Sequence, residues 1–138
     1  MITKSDLEAL SIVRLDDAKV LFQAGRNSGA YYLSGYAVEL AIKACIAKVF
    51  QANAIPDKAF VTEIYSHNLK ELLGLAGLTK QFQDDTATTP NLAAAWGVAS
   101  KWNEASRYAM WDNFAAASIL NAVGDLNHGV LQWLKKHW

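Results

Sequence analysis

The chain has 138 residues, 52% of them hydrophobic, and its thirteen basic side chains balance thirteen acidic ones. This length suits one domain over residues 1–138 and excludes two ordinary ones, while zero net charge excludes a global field that would draw nucleic acid or an anionic membrane. The lone cysteine, Cys45, can form neither an internal disulfide nor a cysteine-based metal site, and fits a reducing, cytoplasmic location.

The first predicted helix runs from Ser5, as cap, to Ala24, with Gly25 as its stop and Leu7, Leu10, Val13, Leu21 and Ala24 as its apolar face. Arg26–Gly29 is a short polar connection in which Ser28 serves as the next cap, so an antiparallel hairpin is expected. The second helix, Tyr31–Phe50 and on to about Ala52, is apolar around most of its circumference. At 100° per residue, Tyr32, Gly35, Tyr36, Glu39 and Lys43 fall in one sector, a polar stripe on an otherwise greasy rod. Those charges interrupt the best apolar run, which excludes a membrane span, and Met1–Glu8 has no signal-peptide pattern.

Pro56 ends the regularity, leaving at most a turn of helix around Lys58–Glu63 before Ser66. Asn68 caps a shorter helix with Glu71 three residues on, in the manner of a capping box, and Gly77 ends it. Leu78–Thr88 is ambiguous: Phe82 can anchor a short helix, whereas Asp84-Asp85-Thr86 followed by Thr88-Thr89 reads as a surface loop. Thr89-Pro90 restarts a helix that fades near Asn103. After a junction over Arg107–Asn113, Asp112 caps a last helix with Ile119, Val123, Leu126, Val130 and Trp133 inward, closed by Lys135, Lys136 and His137. The expected architecture is all-α: an up-and-down helical bundle of four long helices plus one shorter helix.

The segment Gly35-Tyr-Ala-Val-Glu-Leu-Ala-Ile-Lys-Ala44, then His67-Asn68-Leu69 opening a short helix, then Trp102 followed by Arg107-Tyr108 before a last helix, resembles the HEPN domain family. The resemblance spans roughly residues 5–135. It implies a prokaryotic-type bundle of four or five helices that commonly forms a homodimer and is often encoded beside a minimal nucleotidyltransferase, with no cofactor or metal. It also implies a possible metal-independent RNA endonuclease, as in toxin–antitoxin pairs, with an Arg followed by four to six residues and then a His. Such chemistry needs a histidine to shuttle protons and an arginine to hold the phosphate.

Arg107 occupies the arginine position, but positions 112, 113 and 114 are Asp112, Asn113 and Phe114. The expectation is therefore a binding module without the usual ribonuclease motif, holding nucleotide, RNA or a partner protein near Arg107. Its candidate polar network is Tyr36, Glu39, Lys43, His67, Arg107 and Tyr108. The alternatives are an endonuclease in which His67 or Asp112 acts with Arg107, and a structural partner of a nucleotidyltransferase subunit. Each candidate also has a plain structural use: Glu39 and Lys43 as an intrahelical pair joined to a neighbouring helix, Arg107 and Tyr108 as packing, and His67 as a helix-entry residue.

Overall fold

The computed structural model describes residues 1–138 and contains eight α-helices and one 3₁₀ turn, with no strand. Helix α1 (Lys4–Gln23) is capped two residues before Ser5, because Thr3 and Asp6 form a reciprocal capping box. Its buried face is Leu7, Ser11, Leu15 and Ala18, whereas Val13 and Ala24 face solvent. The inward Ser11 is satisfied across the hairpin: its hydroxyl donates to the Ala37 carbonyl at 2.7 Å. Gly25, at φ +76°, reverses the chain where a side chain would be strained.

Helix α2 (Asn27–Ala47) lies against α1 and also packs on the helix capped by Asn68, the 3₁₀ turn and the last two helices of the chain. It begins without a side-chain cap, and Ser28 instead accepts the Trp111 backbone N–H at 2.9 Å, tying the start of α2 to a distant loop. It also ends at Ala47 rather than near Ala52. Cys45 is buried in its last turns, and burial pushes its thiol up to about 11.

Helices α3 (Lys58–Ile64) and α4 (Leu69–Leu75) pack on each other, α4 also packs on α2, and each is opened by an acid or amide cap, Asp57 and Asn68. Glu71 does not complete a box with Asn68; its carboxylate accepts from Ser66, whose oxygen accepts the Asn68 N–H. Of the two readings of Leu78–Thr88, the structure takes the helix, α5 (Thr79–Thr88). Phe82 holds it, buried edge-on against Trp96 and Trp133 at centroid distances of 5.0 and 4.8 Å, and Asp85 accepts the Trp133 indole N–H at 2.8 Å. Tertiary packing here overrides a polar sequence.

Helix α6 (Pro90–Ala99) has proline in its first turn as expected, and a 3₁₀ turn, Glu104–Tyr108, leads to α7 (Asn113–Gly124). The expected last helix is broken in two. Asp125 leaves the helical region, and its carboxylate caps the backbone N–H groups of Asn127 and His128 at 2.9 and 2.7 Å before α8 (Val130–Lys135) begins. Leu126, placed inward by the sequence periodicity, is 80% exposed at this break. Two long helices, α1 and α2, are thus joined by six shorter ones, in place of four long helices plus one.

Three aromatic contacts fasten the later elements to α2. Trp111 stacks on Tyr31 at 3.8 Å, and Trp102 lies on the backbone at Gly35 while its indole N–H donates to the Tyr32 carbonyl at 3.1 Å. A Cβ at position 35 would overlap the Trp102 ring. Gly35 is therefore there for an indole. Gly35→Ala is expected to lower stability by ~1–3 kcal/mol through overpacking, despite the better helix propensity of alanine. Gly97→Ala in α6, where a Cβ meets nothing within 4 Å, is expected to raise it by ~0.5–1 kcal/mol; urea unfolding of both variants checks the pair.

Candidate functional site

The polar stripe of α2 converges with the α3–α4 junction and the 3₁₀ turn. Glu39 stands at the centre, its side chain 2% exposed. Lys43, one turn on and 16% exposed, donates to Glu39 Oε1 at 2.8 Å. His67 reaches the same carboxylate from the loop before α4, its Nδ1 3.0 Å from both Oε1 and Oε2. The Asn68 cap fixes the chain direction there, so His67 is aimed by the local geometry of the helix start.

On its far side, His67 Nε2 lies 3.0 Å from Glu104 Oε2, and Glu104 in turn meets Arg107 at 3.8 Å. A continuous line of charge results: Lys43, Glu39, His67, Glu104, Arg107. Carboxylates only accept, so both contacts of the imidazole are hydrogen bonds at once only when each ring nitrogen carries a hydrogen. The two carboxylates fix the ring plane as well as its position.

Arg107 is 46% exposed and lies 4.8 Å above the Tyr108 ring. Tyr108 first and then Tyr32, with Glu104 adding to them, hold its guanidinium above even the usual arginine value, so it stays charged at every working pH. Tyr36, at the inner edge of the stripe, is raised above the ordinary phenol range by burial first and then by the Glu39 charge, which keeps its hydroxyl a neutral donor.

Of the candidates read from the sequence, Glu39, Lys43, His67 and Arg107 come together, with Tyr108 under Arg107 and Tyr36 in a cleft lining shared with Glu39 and Lys43. Asp112 does not join them. Its carboxylate accepts the Ala115 backbone N–H at 2.8 Å and caps α7, the role its position before a helix foretold. Glu104, which links the two halves, was missed; it lies in a polar junction with no periodic pattern, and only its spacing of three from Arg107 hinted at a pair.

Two clefts flank the line. A polar one of about 490 Å³, between the α3–α4 loop and the α6–3₁₀ connection, is lined by His67, Lys70, Lys101, Asn103 and Glu104. Neither of its lysines is held in an ion pair. The other, of about 540 Å³, is mostly apolar and has Tyr36, Glu39 and Lys43 in its lining. The Glu39–His67 contact is the partition between them. No group of three His, Cys, Asp or Glu side chains is placed to hold a metal ion, and no helix is long and apolar enough to cross a membrane.

A family model described as HEPN domain matches residues 11–112, a range that contains Glu39, Lys43, His67, Glu104 and Arg107. No curated protein and no solved structure matches the chain.

The two carboxylates differ sharply in burial, and their removal separates the roles. Glu39→Ala, which strips a buried acceptor from Lys43 and His67, is expected to cost ~3–5 kcal/mol. Glu104→Ala, at a half-exposed position, is expected to cost under ~1 kcal/mol. Denaturant midpoints of the two variants test this ordering.

Proposed function

Because the chain belongs to the HEPN domain family, we propose that it acts as a binding module that holds a phosphate-bearing ligand, RNA or a nucleotide, in the polar cleft beside Arg107, without cleaving it by the usual family motif. The carrying observation is the disposition of cations. Arg107 is solvent-accessible and only loosely engaged by Glu104, while Lys70 and Lys101 line the adjoining cleft unpaired. A planar guanidinium supplies a bidentate fork for phosphate, and lysines add point charges. Tyr108, stacked under Arg107 and exposed, offers a ring face to a base.

The absence of a histidine at positions 112–114 supports binding over cleavage. RNA cleavage with His67 as the proton carrier is the second reading, and it draws on the placement of His67 one carboxylate away from Arg107. Against it, Nδ1 and Nε2 both face carboxylates, which leaves neither nitrogen free for a substrate hydroxyl without displacing Glu39 or Glu104. Asp112, committed to a helix start, is a poorer candidate still.

We also propose a homodimer. Tyr108, Met110 and Phe114, 79%, 94% and 80% exposed, lie within seven residues and form an apolar surface next to Arg107. Such a surface suits a second copy of the chain, and a dimer would bring two Arg107 clefts to one assembly. A nucleotidyltransferase-type partner on the same surface remains the structural alternative, and a cytoplasmic location fits either assembly.

Two measurements follow. Fluorescence anisotropy with a short single-stranded RNA is expected to show binding that Arg107→Ala weakens about tenfold, with unchanged thermal stability and intact RNA after incubation. RNA cleavage by the wild-type chain that Arg107→Ala abolishes would establish the second reading instead. Light scattering at micromolar concentration is expected to give a dimer mass, and the Met110→Asp/Phe114→Asp double variant a monomer mass; a monomeric wild type refutes self-association.

A further inference from the structure

The second cleft is not needed for phosphate recognition, and its chemistry is different. Its walls come from three elements: Leu7 of α1, Leu40 and Ile46 of α2, and Val61 and Ile64 of α3. Helix α3 has no fully buried residue, so its inward side is covered only in part. At the rim, Ile2, Phe50 and Tyr65 are 56%, 40% and 75% exposed. Apolar surface left open on three sides of one concavity is costly in water unless something fills it.

The polar lining is sparse and directional. Glu39 presents almost no surface, since both its oxygens are covered by His67 and one also by Lys43. Lys4 is held by Glu8. The ammonium of Lys43 has three hydrogens and Glu39 as its one protein acceptor. Tyr36, whose phenol is a donor, lies in the same lining. A cleft of about 540 Å³ with apolar walls and a few converging donors has the character of a small-molecule site.

We propose that this cleft binds an amphipathic carboxylate, a molecule with an apolar chain or ring seated between α2 and α3 and one anionic head on Lys43. Charge complementarity selects that class: the exposed charges of the lining are cationic and few, Lys43 and Lys4, each with one carboxylate partner, while Glu39 is covered, so a polyanion finds too little to neutralise it and an uncharged alcohol brings Lys43 no anionic acceptor. Tyr36 supplies a second donor to the head. The site is separate from the Arg107 cleft and does not depend on the reading given to that cleft.

Calorimetric titration of the full chain with monomeric dodecanoate, and with dodecanol as the uncharged control, tests the assignment. Dodecanoate is expected to bind below about 100 µM and dodecanol at least tenfold more weakly. Lys43→Met is expected to remove the preference for the carboxylate, and Val61→Trp, which fills the cleft from the half-buried α3, to weaken both ligands about tenfold or more. Should Lys43→Met fail to fold, Tyr36→Phe replaces it, with an expected two- to fivefold loss for dodecanoate alone, about the worth of one hydrogen bond. No dodecanoate binding up to about 1 mM, equal binding of both ligands, or an affinity indifferent to Val61→Trp would overturn the proposal. RNA binding through Arg107 is unaffected by any of these results.

Discussion

Burying the Glu39 carboxylate at the middle of α2 is the constraint from which the rest of the site is arranged. Leaving water costs a carboxylate several kcal/mol, and only close, well-directed partners recover it. Lys43 is available from the same helix at a spacing of four, the orientation that best suits an acid before a base. His67 is not local, so the chain between α3 and α4 has to return to α2 at one place. Once His67 is there, its outer nitrogen needs an acceptor, and Glu104 draws the 3₁₀ turn in. The position of Arg107 follows from a requirement that begins at a residue it never touches.

Aromatic side chains carry the complementary, apolar half of the fastening. The two buried indoles have their N–H groups satisfied, Trp102 by the Tyr32 carbonyl and Trp133 by Asp85, and so does the half-buried Trp111, by the Ser106 carbonyl. Three short, weakly patterned stretches, α5, the 3₁₀ turn and the segment before α7, are thereby bound to the core by one large ring apiece. This explains how a chain with only two long helices keeps the order of a bundle. The peripheral helices, seven to twelve residues for the most part, are too short to be stable alone and hold through these contacts.

Much of the framework was legible in the residues because its signals are local. The Asn68 and Asp112 caps, the proline opening α6, the glycine after α1 and the sector of Glu39 and Lys43 each depend on a few neighbours, and each appears where the sequence placed it. What escaped depends on distance through space. Helix α5 exists because Phe82 meets Trp96 and Trp133, the long last helix stops because the Asp125 carboxylate finds two amides, and Ser11 is inward because a carbonyl on α2 waits for it. Glu104 belongs to the same class: nothing near it in sequence announces His67, which lies thirty-seven positions earlier. The convergence of His67 with Arg107 was a question the sequence could pose and only the fold could answer.

Gly35 and Glu39 are four residues apart on α2, a rise of about 6 Å at ~1.5 Å per residue, and the two groups they meet, Trp102 and Glu104, are two residues apart on the other strand of chain. Indole on glycine at one end, and the Glu39–His67–Glu104 bridge at the other, therefore close a circuit. A braced frame of this kind has more links than it needs to hold its shape. Its polar side can give, since side chains swing and water can stand in for a lost hydrogen bond; its steric side cannot, because no atom can occupy the space the ring takes. The absent methyl group at position 35 is thus the datum from which the separation of α2 and the arginine-bearing turn is measured.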